Sequence, residues 1–374
     1  MRGAFLLLAV SLPAAVLPEY KTITITDDLK MGYQLVVADI NHDGKPDLIA
    51  VDERGTELAW YENPTWERHV IVKDVPRTIN LDAYDFDGDG VPEIVMGYHF
   101  ETDPQRSVGN VVLVKSGPDP RQPWTTREID RVPTVHRIRW IDLKGDGKKS
   151  VLVAPMIGDK AKPPDYADDA PVYLYQPGEW KRTVYTTLPR GVLHSINPVR
   201  WQSGGEQLMT ADFLGIRVFL PNGPLEISKG DPRPCPQCGS SETRIGRLGS
   251  QRFIAAIEPW HGNQVVAYTE AGEQWKRHVL EDGMENGHAL AVGDLNGDGR
   301  DEIVAGFRGK GFQLYVFTAD DAAGEHWTRH VLDPGGISAA DCKIADFTGS
   351  GKPEIACIGA STHNIRLYTP QKAN

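Results

Sequence analysis

Nine residues recur along this 374-residue chain with carboxylates or amides at alternate places. Asp39-Ile-Asn-His-Asp-Gly-Lys-Pro-Asp47 returns as Asp85-Phe-Asp-Gly-Asp-Gly-Val-Pro-Glu93 and as Asp294-Leu-Asn-Gly-Asp-Gly-Arg-Asp-Glu302. In an irregular loop, side chains at positions 1, 3 and 5 can face one centre, position 7 offers a carbonyl, and position 9 closes the cage. Hard oxygen donors around a glycine turn suit calcium. The expected ligand sets are Asp39, Asn41, Asp43 and Asp47; Asp85, Asp87, Asp89 and Glu93; and Asp294, Asn296, Asp298 and Glu302. An EF-hand would need Glu at position 12, where this chain has Ala50, Met96 and Ala305, so that reading fails. Worn copies begin at Asp142 and Asp346. Lys144 and Ser150 in the first, and Thr348 and Ser350 in the second, remove ligands.

Histidine is the second chemical resource, with 11 in the chain. His136 and His288 each stand six residues before a loop aspartate, and His194 takes the same place in a segment whose loop has lost its carboxylates. Tyr33 is the equivalent in the first repeat. Three more histidines, His99, His261 and His363, are expected in loops on the same side. Imidazoles gathered there could transfer protons near neutral pH or bind a transition metal through neutral nitrogens. Arg77, Arg137, Glu258, Trp260 and Lys343 are expected near them, with Tyr166 on a long facing loop as a further candidate base. Trp can stack on a sugar face and Arg can hold a carboxylate, so the expected ligand is a carbohydrate or another small polar molecule. A hydrolase would want a carboxylate pair, and only Glu258 and loop aspartates are at hand.

Both features need strands to position them, and the spacing supplies the count. Each unit carries an alternating strand, the acidic loop, a second strand, a variable loop, a third strand and a closing Trp-x-Arg-His-Val strand, as at 66–70, 275–279 and 327–331. Four short strands in a repeat near 50 residues predict a propeller blade. The interval from Asp142 to Asp294 holds two disguised blades, making seven. The last unit lacks its closing strand, whereas Tyr20–Ile25 is a strand without a blade. Pairing the two closes the ring and hides two sheet edges. The predicted fold is all-β, a seven-bladed β-propeller closed by its N-terminal strand, over residues 18–374.

The D-x-[DN]-x-D-G-x-x-[DE] loop between blade strands resembles the FG-GAP and VCBS repeat family, which includes the integrin head propeller. The Trp-x-Arg-His-Val strands are similar to those of the aldos-2-ulose dehydratase propeller. The repeats imply the fold; the family holds adhesion proteins, lectin-like modules and sugar-cleaving enzymes. The resemblance to the dehydratases favours β-elimination on a sugar, with His136, His194 and His288 as acid/base groups or metal ligands. A non-catalytic glycan- or protein-binding module is the alternative.

Residues 1–17 read as a secretory signal: Arg2, an apolar Ala4–Val10, then Ala14 and Ala15. The expected location is secreted or periplasmic, without stable membrane insertion. Net charge is −11 and no Lys/Arg-rich run occurs, which argues against nucleic acid. Cys235-Pro-Gln-Cys238 suggests a local disulfide rather than a zinc site. Cys342 and Cys357 are expected on adjacent strands, either bonded or simply packed. Nothing in the sequence sets an oligomeric state.

Overall fold

The structure is a computed structural model that describes residues 17–371; the expected leader lies outside the described residues except for Leu17. Seven antiparallel four-stranded sheets follow one another along the chain. Their innermost strands are Gly32–Ala38, Asn80–Tyr84, Val135–Ile141, Ser195–Val199, Glu242–Leu248, Gly287–Gly293 and Ala339–Ala345, in blades 1 to 7. Each innermost strand packs against those of both neighbouring blades, and blade 7 meets blade 1. Tyr20–Thr26 pairs antiparallel with Ile365–Pro370 as the outermost strand of blade 7, so the ring closes as the sequence predicts.

Second strands are sandwiched between neighbouring blades and read as unbroken apolar runs, as in Glu93–Tyr98 and Glu302–Phe307. Fourth strands face water and are mostly polar; Thr125–Arg131 is largely exposed. The histidine of the Trp-x-Arg-His-Val strand binds inward to the third strand. His69 bonds to Glu62, His278 to Thr269 and His330 to Thr318 at 2.9, 2.9 and 3.1 Å.

Polar side chains lining the channel sew blade to blade. Gln34 bonds both backbone groups of Leu81, Asn80 accepts from the Ile138 N–H, Asp82 from Trp140 and Asp341 from Leu35. A buried amide or carboxylate costs free energy unless paired. Here it finds a strand whose own ladder bonds point elsewhere. Both cysteine pairs are disulfides, Cys235–Cys238 and Cys342–Cys357, the latter directly opposite in register.

Candidate functional site

The acidic loops share one internal scaffold. In all five, including the worn copies, the position-1 aspartate accepts the N–H of the position-6 glycine, at 2.8 to 2.9 Å. That glycine has φ between 75° and 92°, a region that penalises any side chain. Asp142 and Asp346 therefore make the turn itself, which accounts for their presence in loops short of metal ligands. Position 9 is likewise a clamp. Asp47, Glu93, Glu302 and Glu354 accept the N–H of Ile40, Phe86, Leu295 and Phe347. Both oxygens of Asp47 are held by backbone, the second by Asn63. In blade 2, Asp85, Asp87 and Asp89 bring one oxygen each within 4.8 Å of the others. The Lys115 ammonium reaches into that cage and contacts Asp87, Asp89 and Glu93. In blade 6, burial and the neighbouring Asp298, Asp294 and Asp301 push the Glu302 carboxyl up to about 8, as expected of a donor set short of positive charge.

At the opposite end, one register position turns inward in each blade. A β-bulge lies at Tyr33, His136, His288 and Ala340, each an extra residue between two paired ones. Ile79, His194 and Ser241 occupy the same place just before their strands, each donating its N–H to the facing second strand. A bulge re-aims a side chain, and here the bulges at Tyr33, His136 and His288, with His194 at the matching place, bring four aromatic rings together. Tyr33, His136, His194 and His288 form a closed circuit with ring centroids 4.8 to 6.4 Å apart. His261, from the loop after the second strand of blade 5, completes the group at 4.8 Å from His194 and 5.4 Å from His288.

Hydrogen bonds set the tautomers. His288 Nδ1 donates to the Ala340 carbonyl at 2.5 Å, so its Nε2 carries a lone pair, and that Nε2 is buried with no partner. His194 Nδ1 lies 3.0 Å from a Glu242 oxygen and 3.1 Å from the Ser241 hydroxyl. Its Nε2 is left to face His261 Nε2 at 3.0 Å. Two imidazole nitrogens so close require a shared proton or a shared cation. His194, His261 and His288 each offer a nitrogen within 4.8 Å of the others. Burial first, then the Arg137 guanidinium, holds His194 down to about 4. Burial also holds His136, His261 and His288 well below the ordinary value, with Arg137 next for His136, His194 for His261 and Arg308 for His288. All four are neutral at pH 7, as metal ligation requires.

Below the rings lies a salt bridge, with Arg137 and Glu242 at 2.6 Å, both buried. Burial alone would raise the Glu242 carboxyl, but Arg137 and the His194 bond outweigh it and hold it well below the carboxylate range. Tyr33 Oη is 2.9 Å from His136 Nε2 and 3.5 Å from an Arg137 nitrogen. Deeper still, a space of about 20 Å³ beside Tyr33, Arg137, Arg244 and Asp341 is room for about one water. The Arg137–Glu242 pair thus fills the channel below the histidines with paired charge.

Several expected site residues sit elsewhere. Glu258 is fully buried and held by Ser240, Tyr268 and Arg277, so it braces blade 5. Lys343 pairs with Asp341 in the channel, three positions beyond the ring residue Ala340. Arg77 is engaged by Glu53 and the Phe100 carbonyl. His99 bonds Asn110, and exposed His363 bonds the Lys30 carbonyl; each fastens its own loop. Tyr166 packs on Phe213 and Trp260 at 5.9 and 6.2 Å, and it is Tyr33 that bonds a ring histidine. Trp260 stacks on His261 at 4.9 Å and leaves its indole N–H without a partner. Ser241, Glu242 and Arg308 join the site without a signal in the repeat pattern. Glu242 opens a blade whose acidic loop is gone, so the repeat offers no ruler for it.

Residues 39–96 match the FG-GAP-like repeat and residues 286–317 the FG-GAP repeat. Over 240 residues, 54% of this chain, the sequence is 25% identical to aldos-2-ulose dehydratase of Phanerodontia chrysosporium. That match takes in 26% of the relative, so the chain spans about a quarter of its length. Among solved structures, the extracellular domain of a one-component system, BT4673 of B. thetaiotaomicron, matches 93% of this chain and 39% of its own at TM-score 0.54 and 15% identity. BBS1N, in complex with ARL6DN, matches 96% and 99% at 0.60 and 11%. The exotype rhamnogalacturonan lyase YesX matches 96% and 75% at 0.50 and 12%. At these identities the structural likeness is one of fold. The chain is thus a seven-bladed propeller bearing FG-GAP repeats, with sequence similarity to aldos-2-ulose dehydratase.

Proposed function

We propose that this chain is a carbohydrate-active lyase or dehydratase working by β-elimination at the histidine mouth. A transition metal would be held by His194, His261 and His288. The observation that carries the reading is the set of buried nitrogens without partners. Nine buried side-chain polar atoms lack a partner among the described residues, and four belong to this mouth: His136 Nδ1, Trp260 Nε1, His288 Nε2 and Arg308 Nε. Buried polar groups are normally satisfied, so a cluster of exceptions marks where a ligand belongs. Three neutral imidazoles with an open side suit zinc or a related ion. The Glu242 and Ala340 contacts fix ring orientation in the manner of outer-shell partners. Similarity to aldos-2-ulose dehydratase supports elimination on a sugar.

The bound metal would supply positive charge to the oxygen of a sugar carbonyl or carboxylate. Tyr33, passing its phenolic proton to His136 Nε2, takes the proton from the neighbouring carbon, with Arg137 beside it. The C–H electron pair becomes a C=C bond as the β C–O bond breaks. His136, bonded to Tyr33, returns a proton to the departing oxygen, which leaves as water or an alcohol. Trp260 offers a face for the sugar ring.

We assign calcium to the acidic loops of blades 1, 2 and 6 as a brace for each blade, and we assign residues 1–17 to export. Two disulfides fit an oxidising compartment. Metal content of the purified protein and the appearance of an unsaturated sugar product test the reading together. Protein that binds calcium alone, and forms no alkene from ketosugars or uronate-containing oligosaccharides, makes this a binding module instead.

A further inference from the structure

Arg308 sits in the loop after the second strand of blade 6, half-buried beside the histidines. One guanidinium nitrogen donates to Asn286 Oδ1 at 3.1 Å, while Nε is buried and unpartnered. Among the described residues no carboxylate lies within ion-pair distance of it. The two carboxylates whose fields reach it are already engaged: Glu242 by Arg137 at 2.6 Å, and Glu53 by Arg77. Deeper in the channel Lys343 has Asp341, Arg137 and Arg244 share Glu242, and Arg139 has two neutral acceptors, Asn80 and the Ile138 carbonyl; Arg308 has Asn286 alone and an unanswered Nε. A guanidinium is a planar fork matched to carboxylates, and it stays charged when buried. The fields of Arg308 and of the histidines overlap, since Arg308 is the leading charge depressing His288 and contributes at His194 and His261.

We propose that Arg308 is the docking group for a carboxylate on the ligand, so that the mouth takes an acidic sugar, a uronate or aldonate, in preference to a neutral one. Counted over the mouth, Arg137 and Glu242 cancel and Arg308 is left over. A divalent ion on the three histidines would increase the excess to three positive charges. A neutral sugar leaves that excess buried and uncompensated, whereas a carboxylate spanning Arg308 and the histidine centre offsets it. Arg308 and His261 are half-buried whereas Tyr33, His136, His194 and His288 are buried, so these two are the members of the group that solvent reaches.

This role for Arg308 rests on the proposed function, but binding rather than turnover tests it. The purified protein is titrated calorimetrically with D-galacturonate, D-glucuronate and D-gluconate, and with D-galactose and D-glucose as neutral controls. At least one acid should bind about thirty-fold more tightly than its neutral counterpart, the effect of one charge-assisted pair. Arg308→Met should abolish that preference, and Arg308→Lys should keep part of it because the charge remains. An acid-to-neutral ratio near one in the natural protein, or a ratio unmoved in Arg308→Met, overturns the proposal. Should Arg308→Met fold poorly, Arg308→Lys and an unfolding scan with each sugar supply the same ratio. Acid preference without elimination leaves Arg308 standing and removes the lyase; elimination of neutral sugars, untouched by Arg308→Met, does the reverse.

Discussion

The two ends of the same inner strands are built on opposite terms. At the acidic end position 1 holds its own glycine N–H in all five loops, and position 9 holds position 2 in four of them. At the histidine end no blade is sufficient. The group needs Tyr33 from blade 1, His136 from blade 3, His194 from blade 4, His261 from blade 5 and His288 from blade 6. It still leaves nitrogens unpartnered. A feature that each copy completes from its own residues serves the blade that carries it. A feature that only the closed ring can assemble, and that remains unsatisfied, is where chemistry is possible.

The comparison breaks most directly at His288. His288→Ala should release the transition metal and lower turnover by about a thousand-fold, in the range of a lost catalytic group. Metal content by mass spectrometry and single-substrate kinetics report on it, and a variant that keeps its metal contradicts the three-histidine centre. Glu242→Gln strikes the support beneath. It leaves Arg137 buried without its counter-charge, at about 3 kcal/mol in stability, and should weaken metal binding about 10- to 100-fold. Denaturant unfolding and metal titration measure the two losses, and an unchanged metal affinity would show that Glu242 does not position His194.

The acidic end should respond in stability alone. Removing calcium with a selective chelator should lower stability by about 3 kcal/mol for each occupied loop if calcium had been present at a hundredfold its dissociation constant. Turnover below the melting range should not change. Activity that falls in step with calcium would join the two ends and dissolve the contrast. The smallest effect belongs to Lys115→Met. In calcium-free buffer it should cost no more than about 1 kcal/mol, since the lysine is partly exposed. Calcium should then bind the blade 2 loop more tightly, because the tethered ammonium no longer competes. A calorimetric isotherm identical to that of the natural protein would mean that Lys115 does not occupy the cation position.

Seven blades and ring closure by Tyr20–Thr26 are legible in the sequence, because a four-stranded unit is a local pattern that repeats. So is the alignment of His136, His194 and His288, since the acidic loop acts as a ruler along each first strand. Residues placed by loops are harder. His261 lands at the mouth, while His99 and His363 lie in loops of the same kind and are used up by Asn110 and the Lys30 carbonyl. Nothing in chain position separates them. Glu258 and Tyr166 escape sequence reasoning for a related cause: Arg277 reaches Glu258 across the strands of folded blade 5, and Phe213 reaches Tyr166 from the next blade.

The amino-acid sequence by itself determined what depends on period: the blade, the number of blades, the turn held by each position-1 aspartate, and the end of the strand where histidines gather. Tertiary structure alone decided what depends on closure. Tyr33 and His136 are hydrogen bonded across 103 residues, and Arg137 and Glu242 across 105. The Nε2 lone pair of His288 is fixed by a carbonyl 52 residues away. Tautomer, charge pairing and, among the described residues, the absence of a carboxylate partner for Arg308 are properties of groups from different blades that meet only in the assembled ring.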